Sequence, residues 1–351
     1  MKVLVTGDRG YIGAVMVSVL AELGHEVHGL DTDFYRGCDF GPLDASVPSV
    51  RRDVRDVTAA ELEPFDAVVH YAALSNDPLG ALNPRWTYAL NRDATLALAR
   101  TAKEAGVARF LFASSCSMYG ASGTDGLLDE SAPLRPLTPY AESKVDAEAG
   151  LQRLADADFA PVSMRNATVY GVSPRLRLDI VLNNLTAWAY TTGTIRLLSD
   201  GSAWRPLVHV RDVARVAGAL LAAPASLVCG QAVNVGSERQ NYRVSELAQL
   251  VAEASGCAIE TSDEATADPR SYRVDFSRLR RILPGLELEW DARRGVEELL
   301  AAYRAAGLSR ELFEGRRYVR VRQIGHLLAT KALDDDLRWR GAEGDGAVRR
   351  D

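Results

Sequence analysis

The run Thr6-Gly-Asp-Arg-Gly-Tyr-Ile-Gly13 follows a short apolar stretch, Lys2–Thr6, and leads directly into a helical stretch over residues 12–23. Three glycines at this spacing, between a strand and a helix, permit a tight turn. Backbone amides there can approach an anion, and the helix N-terminus favours its charge. A chain that opens this way is committed to a strand–turn–helix unit, and the following segments repeat it. Gly24 stops the helix, and residues 25–30 read as a strand ending in Asp31. Residues 67–71 read as another strand, 85–105 as a helix closed by Gly106, and 109–113 as a strand. A further helix starts near Thr138, and residues 162–165 are the sixth strand. Strands alternating with helices of this length predict parallel βαβ units, an α/β fold with a doubly wound parallel sheet.

Past Gly171 the alternation loosens. Residues 173–204 mix Pro174, Arg175, Arg177, Asn183 and Asn184 with short apolar runs, which suits substrate-facing loops and a helix. Residues 208–210 and 232–235 look like strands returning to the main body, and 244–254 is an amphipathic helix. The expected organisation is a Rossmann-type nucleotide-binding domain over residues 1–170, with returning segments about 205–250. A smaller C-terminal substrate-binding lobe takes residues 171–204 and 251–340, and a flexible tail takes 341–351, which has almost no apolar content.

A hydrophobic content of 47% with 25% charged residues is that of an ordinary soluble globular protein. The net charge of −6 argues against a general nucleic-acid partner. Cys38, Cys116, Cys229 and Cys257 are scattered, with no Cys-x-x-Cys pair, so neither a zinc site nor a disulfide framework is expected. No uncharged apolar run approaches the ~20 residues of a membrane span. With no leader-like segment at the start, the expectation is a cytoplasmic protein with no membrane partner.

Asp31 closes the second strand eighteen residues after Gly13. A carboxylate there accepts hydrogen bonds from an adenosine ribose and repels a 2′-phosphate, which favours NAD over NADP. Arg9 and Arg36 are the nearby basic residues that could soften that preference. Tyr140 and Lys144 sit one helical turn apart, with Ser115 twenty-five residues before Tyr140 at the end of a strand-like run. An ammonium beside a phenol stabilises the phenolate, which matters because a tyrosine near pKa ~10 is a poor base at neutral pH.

With these features in order, the chain resembles the extended short-chain dehydrogenase/reductase family, in its nucleotide-sugar epimerase and dehydratase branch (UDP-glucose 4-epimerase-like), over roughly residues 2 to 300. The matches are Thr6–Gly13, the pair Asp53 and Val54, His70-Tyr-Ala-Ala73, Asn91 ahead of Thr95, Phe112-Ala-Ser-Ser-Cys-Ser-Met-Tyr-Gly120, Tyr140-Ala-Glu-Ser-Lys144 and Val208-His-Val-x-x-Asp212. The resemblance implies a cofactor-binding set of Gly7, Gly10, Tyr11, Ile12, Gly13, Asp31, Asp53, Val54, Tyr71, Ala72, Ala73, Asn91, Tyr140 and Lys144. It assigns Ser115 to hydrogen-bond the reacting sugar oxygen and Tyr140 to act as general acid/base. Lys144 would bind the nicotinamide ribose and lower the Tyr140 pKa. Ser75, Ser115, Ser117, Thr168, Asn184, Leu185, Arg205 and Arg270 form the implied substrate set. The two arginines would grip a nucleotide diphosphate, as a guanidinium does through paired hydrogen bonds. No metal is implied. His209 is read as structural rather than catalytic.

Cys116 and Ser117 discriminate among reactions. In the family's 4,6-dehydratases an Asp-Glu pair occupies these positions, whereas 4-epimerases carry small neutral residues. Cys116 is read as a packed residue. The resulting expectation is an NAD-dependent epimerase of a nucleotide-diphosphate sugar, acting at C4 through a transient 4-keto sugar. A nucleotide-sugar ketoreductase or dehydrogenase is the rival, a dehydratase is a third reading, and an NAD-binding regulatory protein without turnover is the rival from another class. The family also implies a homodimer through a four-helix bundle built from residues 85–105 and 139–154. The basic cluster at 316–322 has no family counterpart and is expected to meet an acidic neighbour or stay solvated.

Overall fold

A computed structural model describes residues 1–75, 77–121, 126–341 and 346–347. Seven parallel strands form the central sheet: β1 (Lys2–Thr6), β2 (Glu26–Asp31), β3 (Ser49–Arg51), β4 (Ala67–His70), β5 (Arg109–Ser115), β6 (Ala160–Asn166) and β7 (Gln231–Val235). Their order is β7-β6-β5-β4-β1-β2-β3. Both faces are buried, as an all-parallel sheet requires. Along β1, Val3 and Val5 enter one core while Leu4 enters the other. Along β5, Leu111 and its neighbours Phe110 and Phe112 divide the same way, following the two-residue period of a strand.

Helix α1 (Gly13–Glu22) covers one face through Met16 and Leu20. On the other face, α2 (Ala94–Glu104) and α3 (Pro139–Leu154) bury Leu98, Ala102, Ala147 and Leu151. A single π-helical turn, Tyr88–Asp93, precedes α2, and α3 starts with Pro139 after the capping hydroxyl of Thr138. The smaller lobe has its own core, in which α4 (Val181–Thr192), α5 (Val244–Ser255) and α6 (Ala292–Ala306) pack with the parallel strand pair Thr194–Ser199 and Ala258–Thr266.

Buried polar contacts fasten the lobe to the sheet. Tyr11 donates its hydroxyl to the Gly171 carbonyl at 2.8 Å, and Asn183 accepts from the Gly171 amide at 3.0 Å. His209 lies face to face on Trp290 at 3.9 Å and meets Glu298 at 3.0 Å. Those contacts give it the expected structural part. Within the tail expected to be flexible, Gly346–Ala347 pairs antiparallel with β3; residues 342–345 and 348–351 lie outside the described residues. Residues 320–340 reach back over the loops that follow β2, β3 and β4.

The turn after β1 sets the tightest steric condition. Gly7 has φ +78°, and a Cβ on Gly13 would stand 1.9 Å from the Gly7 carbonyl oxygen. We expect Gly13→Ala to lose at least about 2 kcal/mol in urea denaturation, because the obstacle is backbone; wild-type stability would contradict this packing.

Candidate active site

One cavity of about 780 Å³ opens at the carboxyl ends of β1, β2, β4 and β5, where the small lobe faces the sheet. Every residue of the implied cofactor and substrate sets except Asn91 lines it. At one end, the first turn of α1 has no side-chain cap and no acidic residue, so its amide end faces the cavity uncompensated. A Cβ on Gly7 would lie 2.6 Å from the Ala72 amide nitrogen. Only a bare backbone allows the turn and the loop after β4 to meet there.

The Asp31 carboxylate accepts from the amides of Asp33 at 2.7 Å and Arg9 at 3.1 Å. Burial, with Asp33 beside it, pushes the Asp31 carboxyl up. Asp8, buried beneath the same turn, is pushed up to about 7 by burial and then by Asp31. Arg9 does not offset this acidity on behalf of a phosphate, since its guanidinium is held by Asp33 at 3.0 Å and Ser49 at 3.1 Å. Arg36 is exposed. The surroundings of Asp31 therefore suit a ribose with free hydroxyls. Asp53 caps its own turn and takes a paired hydrogen bond from Arg55, which together outweigh burial and hold its carboxyl below the usual range.

Toward the other end, β5 delivers Ser115, and the first turns of α3 deliver Tyr140 and Lys144. Ser115 lies near enough to the Tyr140 phenol to favour its ionised form, and its hydroxyl accepts from the Ser117 amide at 3.1 Å. Lys144 is 3% exposed; its Nζ donates to the Ala113 carbonyl at 2.7 Å and lies 4.7 Å from the Phe112 ring centre. An ammonium has three donors, and such a buried one fits a ligand bearing hydroxyls.

The expected lowering of the Tyr140 pKa is not found in the protein alone. Burial and the nearby Asp77 push the phenol up to about 12, although Ser115 and Arg177 oppose this. Lys144 is itself pulled down to about 7 by burial. Desolvation penalises both charged forms.

Asn91 is a second correction. It sits in the π-helical turn, fully buried behind the cavity wall, where its amide brackets Leu74: Oδ1 accepts from the Leu74 amide at 2.8 Å and Nδ2 donates to the Leu74 carbonyl at 3.0 Å. It shapes the loop after β4 rather than facing the cavity. Cys116 is 1% exposed, its thiol pointed at the Arg165 carbonyl and its pKa raised by burial, as a packed residue should be. Ser117 lines the cavity.

In the lobe half, Arg205 meets Asp268 at 2.6 Å, and Arg270 meets both Asp268 at 2.8 Å and Asp77 at 2.5 Å. Asp77 also accepts from Thr138, the cap of α3. Asn184 donates to the Leu178 carbonyl and, with Leu185 and Thr168, completes this wall. Sequence reasoning did not assign Asp77, Arg177, Asp179 or Arg320 to the site. Arg177 makes a paired contact with Asp179 and reaches Ser75 at 3.1 Å. The basic cluster is not solvated as a unit: Arg320 is buried, Arg316 meets Gln323, Arg317 meets the Asp39 carbonyl, and Arg322 is exposed.

A parallel sheet with a glycine-rich phosphate turn, an acid at the end of β2 and a Ser–Tyr–Lys set in the same cavity defines an enzyme of the extended short-chain dehydrogenase/reductase class. The model of the NAD dependent epimerase/dehydratase family matches residues 3–236, and the chain belongs to that family. It is 27% identical to the UDP-glucose 4-epimerase of Bacillus subtilis (strain 168) over 332 residues, 86% of this chain and 95% of that protein. Among solved structures, it resembles the UDP-glucose 4-epimerase of Thermus thermophilus in complex with NAD (TM-score 0.74, 26% identity, 87% of this chain and 100% of that one). It also resembles MoeE5 in complex with UDP-glucuronic acid and NAD (TM-score 0.75, 28% identity, 87% and 100%). The cofactor is NAD, and the cavity geometry fits it.

The depressed Lys144 pKa has a stability consequence. Between about 7 and the ordinary value of 10.5 the unfolded chain holds a proton that the folded chain has released, so stability rises with pH in that window and is lost as pH falls through 7. Comparing wild type with Lys144→Met by urea denaturation, we expect about 2 kcal/mol of this rise between pH 7 and 9 to disappear in the variant. Parallel stability curves would contradict the burial argument.

Proposed function

We propose that the protein is an NAD-dependent nucleotide-sugar epimerase that inverts C4 through a transient 4-keto sugar. The observation that carries this reading is the convergence of Ser115, Tyr140 and Lys144 on the cavity that also holds the glycine turn, with neutral Cys116 and Ser117 beside them. When bound, NAD supplies a reversible acceptor for the C4 hydrogen and its electron pair. Tyr140 takes the C4 hydroxyl proton at its phenolic oxygen and later returns it. Ser115 orients that hydroxyl, and Lys144 holds the nicotinamide ribose. Arg205, Arg270 and Asn184 grip the nucleotide diphosphate, the arginines exchanging their present carboxylate partners for phosphate. That grip leaves the sugar ring free to turn and present its other face. Elimination of water needs an acid at the leaving hydroxyl, and the pair beside Ser115 has none.

Purified protein incubated with a panel of nucleotide sugars, with and without added NAD(H), should yield an isomer of unchanged mass without consuming cofactor. Stoichiometric NADH change supports a reductase, and loss of water sinks the epimerase reading. Tyr140→Phe should lower turnover about a thousandfold while leaving NAD affinity within about threefold; a large loss of NAD binding would mean that Tyr140 serves the cofactor instead. A cytoplasmic homodimer pairing the helices over 85–105 and 139–154 belongs to the same reading, and light scattering reading a monomer would remove it. Among the described residues, no helix is long and apolar enough to cross a membrane.

A further inference from the structure

Residues 320–340 touch the loops after β2, β3 and β4 on the cofactor half of the cavity. Helix α7 (Arg320–Ala329) buries Ile324 and Leu327 on Phe34, Leu74, Leu79 and Leu90, together with Leu333 and Leu337 from the chain that follows. Gln323 donates to the Phe34 carbonyl at 3.2 Å, and the Trp339 indole donates to the Thr32 carbonyl at 2.7 Å, so the loop after β2 is tied twice. Arg55, which grips Asp53, also donates to the Asp336 and Leu337 carbonyls at 2.7 and 3.2 Å, tying the turn after β3. Trp86, in the helix leading from the β4 loop, donates to the Asp335 carbonyl at 2.6 Å.

One side chain of this segment enters the cavity wall. Arg320 is 2% exposed, lies 3.9 Å above the Tyr35 ring and donates one Nη2 hydrogen to the Arg175 carbonyl at 2.8 Å. Its Nη1 is buried without a hydrogen-bond partner, and none of the ion pairs among the described residues includes it. Burial and the neighbouring Arg177 both work against its charge. Asp179 favours that charge from nearby but makes no ion pair with it, so the buried guanidinium keeps a donor free for an anion. The adjoining loop runs from Asp31 through Phe34 and Tyr35, on the cofactor side rather than the Arg205–Arg270 side.

We propose that residues 320–340 form a retaining strap over NAD, in which Arg320 binds the cofactor's pyrophosphate. This rests on the NAD reading of the cavity and concerns only what holds the cofactor there. A guanidinium against a diphosphate forms charge-assisted, paired hydrogen bonds, and in a desolvated wall these are strong. The ties at Thr32, Phe34, Arg55 and Trp86 keep the surrounding loops closed. Release of the cofactor then requires the strap to lift, which suits a reaction that returns its hydride to the sugar.

The test uses the full-length protein, measuring NAD dissociation by dilution into a trap and UDP affinity by calorimetry. Arg320→Met should speed NAD dissociation by about tenfold or more and leave UDP affinity within about twofold. Arg320→Lys should recover part of the loss, which a purely packing role would not predict. Unchanged NAD dissociation in Arg320→Met, or a loss confined to UDP, overturns the proposal; the latter would place Arg320 on the sugar nucleotide's diphosphate. Should Arg320→Met fail to fold, Trp339→Phe, which removes the tie to Thr32 from a side chain that does not line the cavity, should still speed NAD release by about threefold, and release at the wild-type rate would overturn the strap. Wild-type protein that binds no NAD at all would instead remove the reading on which the proposal rests.

Discussion

The approach of Gly7 to the peptide of Ala72 is the contact on which the rest of the site depends. It is possible only because neither the turn after β1 nor the loop after β4 places a side chain between them, and a Cβ there would be 2.6 Å from the Ala72 nitrogen. This contact sets the exposed amide end of α1 against the loop that leads to Ser75 and Asp77. Because β1, β4 and β5 are parallel neighbours, Ser115 then emerges at the same edge. A one-residue shift in either pairing would turn alternate side chains to the opposite face of the sheet and dismantle the cavity.

Electrostatics in the cavity follow from burial. Tyr140 and Lys144 are both disfavoured as ions, so the pair is not a base charged in advance. The lobe half shows the complementary arrangement, with Arg205 and Arg270 already neutralised by Asp268 and Asp77. An incoming diphosphate competes with carboxylates rather than filling a bare cationic site. This favours binding that is firm at the nucleotide and loose at the sugar. A sugar that must present both faces to one acceptor needs that division of grip.

Much of this was legible in the sequence because the information is local. The glycine turn, the acid closing β2 and the four-residue spacing of Tyr140 and Lys144 each fix a geometry within one element. What escaped depends on long-range packing. Asn91 carries the family's pattern, yet the π-helical turn directs its amide to Leu74 rather than to the cavity. The expected lowering of the Tyr140 pKa follows from spacing alone, whereas burial, which decides the sign, is a property of the folded chain. Arg320 was lost within a basic cluster, although Arg320, Gln323, Ile324 and Leu327 recur at the three- and four-residue spacing of one buried helix face. That periodicity was the available signal, and the arginine at its head made it look like surface.

The central claim is that one hydrogen leaves C4 and returns to the same carbon inside a closed site. A nucleotide sugar carrying deuterium at C4 tests this most directly, with the epimer examined by proton NMR after turnover in ordinary water. The label should remain at C4 of the product, with none in solvent and none on free cofactor. Deuterium washed into water, or recovered on released NADH, would contradict the account.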